Sequence, residues 1–160
     1  LRFGADKIAV NTAAVKNPVL INEIVNELGN QCFVLSVEAK KIDKSNWKVF
    51  INNGREPMDL NVLEWVKEAV KRGAGEILLT SIDNEGTRKG FDIDLMNLIS
   101  KEINVPLIAS GGMGKLEDLS NLCNKTFVDA VALADVLHYE RLSVGEIKNY
   151  AHKNGIEIRN

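Results

Sequence analysis

Gly73-Ala74-Gly75-Glu76-Ile77-Leu78-Leu79-Thr80-Ser81-Ile82-Asp83-Asn84-Glu85-Gly86 is the stretch whose reading decides the fold. Ile77 to Leu79 form a short apolar run between glycine-containing turns, the pattern of a strand buried on both faces rather than one with a wet side. Thr80, Ser81, Asp83 and Glu85 follow at once and are predicted to project from the carboxyl end of that strand. In parallel α/β sheets this is the end where ligands bind.

Towards the amino terminus the same alternation recurs. Phe33 to Val37 read as another buried strand, ending in Glu38-Ala39-Lys40, and Lys7 to Val10 as a first one, with Asn11-Thr12 at its carboxyl end. Between them Pro18 opens a helix with Leu20, Ile21, Ile24, Val25 and Leu28 at helical spacing, closed by Gly29. Leu1 to Asp6 read as the end of a preceding helix and its turn. Residues 41–55 break the rhythm: Trp47 to Ile51, followed by Asn52-Asn53-Gly54, read as a hairpin insertion lying over the functional face. Leu63, Val66, Ala69 and Val70 then give the apolar stripe of a helix ending near Gly73.

Towards the carboxyl terminus, Gly86 to Gly90 form a loop and Asp92 an N-cap for a helix carrying Leu95, Leu98 and Ile99. Pro106 to Ala109 are predicted as the fourth strand, and Ser110-Gly111-Gly112 lead into a helix from about Lys115. Val128 to Leu133 supply a fifth strand and residues 143–153 a last helix. The order is β-α repeated about five times in one domain spanning 1–160, at a spacing that suits parallel strands with right-handed crossovers. Two architectures fit this α/β pattern: a doubly wound open sheet, or part of a (β/α)8 barrel. A complete barrel takes roughly 200 residues or more, so five units cannot close one alone.

With 160 residues, 45% hydrophobic composition and a net charge of −2, the chain holds enough apolar material for one core and no basic run for bulk nucleic-acid binding. No apolar stretch approaches the ~20 residues of a membrane span and no signal-peptide pattern opens the chain, so cytoplasm is the default expectation. Cys32 and Cys123 lack metal-like spacing and read as buried free thiols, and no metal or cofactor is expected. His138 and His152 read as packing or surface residues, and Trp47 and Trp65 as packing.

Three groups of residues carry a resemblance to a known family: Gly4-Ala5-Asp6-Lys7 with Asn11-Thr12-Ala13-Ala14, the segment Gly73 to Asp83, and Ala109-Ser110-Gly111-Gly112 with Gly114-Lys115. Together they resemble the cyclase subunit of imidazole glycerol phosphate synthase, over the part corresponding to strands four to eight of its TIM barrel. The resemblance implies a lyase of histidine biosynthesis that receives ammonia from a glutaminase subunit through a barrel channel and acts on a phosphorylated small-molecule substrate. It places the catalytic carboxylate at Glu38, where the family carries Asp, and a second departure at Glu85, again in place of Asp, beside Gly86. It implies substrate or phosphate contacts at Asn11, Thr12, Thr80, Ser81, Asp83, Glu85, Gly86, Ser110, Gly111 and Gly112, and an ammonia gate and partner interface at Asp6, Lys7 and Glu76. Where that family has a small hydroxyl residue as its last phosphate ligand, this chain has Asp135, and a carboxylate beside a phosphate dianion is repulsive. A sister group that supplies ammonia for sugar amidation in surface-polysaccharide synthesis is the alternative. The resemblance also implies that the first three βα units, with one acid of the site, have no counterpart in these residues, so an open half-barrel is expected to self-associate.

Overall fold

The computed structural model describes residues 4–159, so the helix end expected over Leu1 to Phe3 lies outside the described residues. In chain order the elements are β1 (Ile8–Val10), α1 (Thr12–Lys16), α2 (Val19–Leu28), β2 (Phe33–Lys41), β3 (Trp47–Ile51), β4 (Glu56–Asn61), α3 (Val62–Lys71), β5 (Glu76–Ser81), α4 (Ile93–Ser100), β6 (Leu107–Ser110), α5 (Leu116–Lys125), β7 (Ala130–Ala132), α6 (Asp135–His138) and α7 (Val144–Lys153). Local chemistry sets several of the starts. The Asn61 side chain accepts the backbone N–H groups of Leu63 and Glu64, Asp92 accepts that of Leu95, and Ser143 with Glu146 forms a reciprocal box at α7. The N–H of Ser143, and then its hydroxyl, hold the Glu146 carboxyl below its ordinary value.

β1, β2, β5, β6 and β7 pair in parallel and in sequence order, β1 with β2, β2 with β5, β5 with β6 and β6 with β7. A doubly wound sheet reverses its strand order at a switch point, and no reversal occurs along this path. The result is an α/β fold with parallel strands and connecting helices, compatible with a TIM-barrel-like arrangement.

The two faces of the sheet differ sharply. Leu35, Val37 and Ala39 on β2 stand in register with Ile77, Leu79 and Ser81 on β5, and Ile77 and Leu79 with Leu107 and Ala109 on β6; all are buried. Apart from the polar Ser81, they share one hydrophobic cluster with Ile21 of α2, Trp65, Val66 and Ala69 of α3, Leu95 and Ile99 of α4, Leu122 of α5 and Ile147 of α7. The opposite face carries Ser36, Leu78 and Ile108 in one row and Glu38, Thr80 and Ser110 in the next, all only half-buried.

Several boundaries differ from those expected. β2 runs to Lys41, because its second half, from Glu38 to Lys41, gains an antiparallel partner in β3. Glu38 therefore lies inside a nine-residue strand rather than after a five-residue one. The excursion placed at 41–55 is wider, since β3 pairs antiparallel with β4, which reaches Asn61. β5 and β6 each extend to take in Thr80-Ser81 and Ser110, while the first and last parallel strands are shorter than predicted. Cys32 and Cys123 are free but half-buried, and burial pushes the Cys123 thiol up.

Candidate active site

Parallel register assembles the carboxyl ends of the strands into one line: Glu38 beside Thr80, Thr80 beside Ser110, and Ser110 beside Ala132. All four residues share the face that the helices do not cover, because they sit at alternate positions from the buried Val37, Leu79 and Ala109. Two polar sites lie on this end, one over β1 and β2 and the other over β6 and β7.

At the first, Glu38 Oε2 accepts hydrogen bonds from Asn11 Nδ2 at 2.8 Å and from the backbone N–H of Gly54 at 2.9 Å. Among the described residues Oε1 makes no hydrogen bond, so one carboxylate oxygen is fixed while the other is available. Gly54 belongs to the turn between β3 and β4, where Asn52, Asn53 and Gly54 all have φ between +54° and +72°. Three successive left-handed residues bend the turn back over β1 and β2, and Asn and Gly are the residues that tolerate this conformation. The N–H of Asn52 donates to Thr12 Oγ1 at 3.0 Å, which pins the turn to the start of α1. The hairpin, expected to lie over the functional face, thus contributes directly to the surroundings of Glu38 through the N–H of Gly54, a contact that its sequence position did not reveal. The Asn-Asn-Gly run was the available signal.

Asp83 and Ser81 are placed differently. Asp83 Oδ2 accepts the N–H of Lys41 at 2.7 Å, closing the end of β2. Ser81 is fully buried on the helix-facing side, where its hydroxyl donates to Asp92 Oδ2 at 3.2 Å and lies 3.3 Å from Asn84 Oδ1. Strand alternation turns it away from the Glu38 row, so the expectation that it meets substrate does not fit the register. Asp92 also accepts Trp47 Nε1 at 3.0 Å and caps α4.

At the second site, Gly111 and Gly112 are buried where the loop after β5 crosses the loop after β6. A Cβ on Gly112 would lie 2.1 Å from the carbonyl oxygen of Gly90, and its φ is +106°. The N–H of Gly90 donates to Gly112 O at 2.8 Å, and Asn84 Nδ2 donates to Gly90 O at 2.7 Å. Close backbone approach thus requires glycine here, independently of any anion. Glu85, Gly86, Gly111, Gly112 and Asp135 line a small pocket at this point. Asp135, the first residue of α6, has Arg141 Nε at 3.4 Å and Arg88 Nε at 3.9 Å from Oδ1.

At the opposite end of the sheet, Lys7 Nζ bonds Glu76 Oε2 at 2.8 Å, with the Lys7 side chain 50% and Glu76 17% exposed; Asp6 beside them is exposed. The expected gate pair is thus brought together, at a partly solvated position. No helix of the described residues is long and apolar enough to cross a membrane.

Residues 1–143 match the histidine biosynthesis protein family. The chain is 46% identical over 160 residues to imidazole glycerol phosphate synthase subunit HisF of Clostridium botulinum (strain 657 / Type Ba4), covering 99% of this chain and 63% of that protein. It is 48% identical over 160 residues to the subunit HisF of Clostridium beijerinckii and 44% identical over 162 residues to that of Nostoc sp., with 99% of this chain covered in each case. The chain spans about 63% of the length of the curated relatives it matches.

Proposed function

This chain belongs to the histidine biosynthesis protein family, and we propose that it provides strands four to eight of a (β/α)8 barrel together with part of an imidazole glycerol phosphate synthase cyclase site. The observation that supports this most is the register row Glu38, Thr80 and Ser110 on the helix-free face, at the ligand-binding end of consecutive parallel strands. Half-buried Leu78 and Ile108 behind that row are what the interior of an incompletely closed barrel would present.

In this reading a glutaminase partner docks at Asp6 and releases ammonia past Lys7 and Glu76, and the ammonia travels along the sheet to the row at the other end. There it splits a ribulosyl aminoimidazole carboxamide ribotide into imidazole glycerol phosphate and an aminoimidazole ribotide. Glu38 moves the proton through its unengaged Oε1, while Asn11 and Gly54 fix Oε2. The second acid and part of one phosphate site belong to units without a counterpart in these residues. The 160-residue chain alone is therefore expected to turn over negligibly. Mixed with the first three βα units of the Clostridium botulinum relative, it should turn over the ribulosyl substrate with ammonium salts, and Glu38→Gln should lower that rate by roughly 10²–10⁴-fold, the usual worth of a positioned acid or base. A folded, reconstituted complex without turnover, or one indifferent to Glu38→Gln, would remove the reading.

A second reading has its own support. Glu85 and Asp135 both line the pocket at the ends of β6 and β7, which favours ammonia delivery for amidation of a sugar over a doubly phosphorylated substrate. In that case glutaminase stimulation should survive Glu38→Gln and fail in Lys7→Ala or Asp6→Ala.

A further inference from the structure

Lys40 of β2 and Lys48 of β3 are directly paired across the antiparallel ladder, next along the same face from the pair Glu38 and Phe50. Like charges facing each other across a ladder repel. Lys48 has a counter-charge, with its Nζ 3.0 Å from Asp59 Oδ1, and Lys41, on the opposite face, meets Asp94 Oδ2 at 3.5 Å. Lys40 makes no ion pair among the described residues. The fold thus sets two cations against each other and compensates only one.

The uncompensated charge is also aimed. Strand alternation puts Lys40 on the helix-free face with Glu38. Its Nζ lies 5.8 Å from the centroid of the Phe50 ring, within cation–π range, and Phe50 is the cross-strand partner of Glu38. This exposed lysine therefore leans back along the ladder towards the Glu38 row instead of outward, and the ring attracts it there. At the other end of the same row, Arg88 and Arg141 already face Asp135.

We propose that Lys40 is a further binding residue of this end of the sheet, whose ammonium takes the phosphate group of an anionic ligand lying against Glu38. An ammonium is a compact charge with three donors and suits a phosphate oxygen. It offsets the repulsion that the phosphate would meet from the Glu38 carboxylate, and the phosphate in turn relieves the repulsion between Lys40 and Lys48. The inference rests on the proposed function only in taking this end of the sheet as the ligand end.

The test titrates the full chain, labelled with nitrogen-15, separately with ribose 5-phosphate and with ribose while the backbone amides of Glu38, Lys40 and Phe50 are followed by NMR. The phosphate ester should shift these amides saturably, and ribose at equal concentration should not. Lys40→Met should weaken the ester about tenfold, the usual worth of a hydrogen bond to a charged partner, and the affinity that remains should depend less on salt. Lys40→Arg keeps the charge and should stay within about threefold of the unaltered chain, as should Lys48→Met, which removes the neighbouring cation instead. Urea unfolding gives a second readout: Lys40→Met removes a like-charge contact, so its midpoint should be unchanged or raised. No saturable response to the ester, ribose binding as tight as the ester, unchanged ester binding in Lys40→Met, a loss in Lys40→Arg or Lys48→Met as large as in Lys40→Met, or a lowered urea midpoint in Lys40→Met would each overturn the proposal. Ester binding that depends on Lys40 in a chain whose reconstituted complex shows no turnover would instead sink the proposed function alone, since neither titration nor unfolding requires turnover.

Discussion

The carboxylates of Glu38 and Asp135 sit at the same end of one sheet and are furnished in opposite ways. Glu38 Oε2 receives two N–H donors, one from Asn11 and one from the hairpin turn at Gly54, whereas the buried Oδ1 of Asp135 receives none. A hairpin turn holds the first by a backbone hydrogen bond, whereas the second has only the longer ion pairs to Arg141 at 3.4 Å and Arg88 at 3.9 Å. A carboxylate that must act on a reacting atom benefits from being fixed in advance.

The largest expected effect falls on the framework of the Asp135 side. Gly112→Ala forces a Cβ to 2.1 Å from Gly90 O at a φ of +106°, against backbone that cannot swing away as a side chain would. Strain and overpacking together should cost roughly 2–5 kcal/mol. For a chain of this length that lowers the melting temperature by roughly 5–15 °C. Calorimetry on the purified variant checks it. A change of under ~2 °C would mean that the two loops do not hold the geometry described, and the pocket would lose its walls with them.

This dependence on close backbone approach also marks the limit of what the sequence discloses. The succession of parallel strands and helices was legible because it is local: Leu20 to Leu28 at helical spacing, the apolar runs at Phe33 and Ile77, the cap at Asp92. The position of Asn11, Glu38, Thr80 and Ser110 at the carboxyl ends of strands was legible from the same local pattern, while the roles expected of them came from the family resemblance. What was hidden depends on partners distant in sequence. β2 continues through Glu38 only because β3 pairs with it, Asp83 is occupied by the N–H of Lys41, and Ser81 is turned inward to Asp92. Ser110-Gly111-Gly112 reads in sequence as a turn into a helix, with phosphate contacts implied by the resemblance, and nothing local announces that Gly90 crosses over it. The short α1 and α6 carry too few residues for any periodicity to show.

A smaller effect sharpens the contrast between the two carboxylates directly. Asn11→Ala removes one of the two donors to Glu38 Oε2 and should cost about 1–3 kcal/mol, the usual penalty for leaving a partly buried acceptor short of a partner. Asp135→Ser removes an acceptor that has no donor, and its long contacts to half-exposed Arg88 and Arg141 are worth at most about 1 kcal/mol. Urea unfolding of the two variants side by side measures the difference. If Asp135→Ser proved the more destabilising, its pairing with Arg88 and Arg141 would be worth more than the hydrogen bond that fixes Glu38.

The smallest effect concerns a third carboxylate at the far end of the sheet, where Glu76 has one partner and no special provision. Lys7 Nζ reaches it at 2.8 Å, but the lysine side chain is 50% exposed, so water and salt compete for both charges. Lys7→Ala should therefore cost under about 1 kcal/mol, and the loss should shrink further as salt is raised. It should still exceed the cost of Glu76→Gln, because removing the lysine leaves the less exposed partner, at 17%, without its counter-charge, whereas removing the glutamate leaves a solvated ammonium. Urea titrations of both variants at low and high salt read this ordering. A loss above ~3 kcal/mol that ignored salt would place the pair in a dry environment, and Glu76 would then belong with Glu38 as a carboxylate that the fold takes trouble to hold.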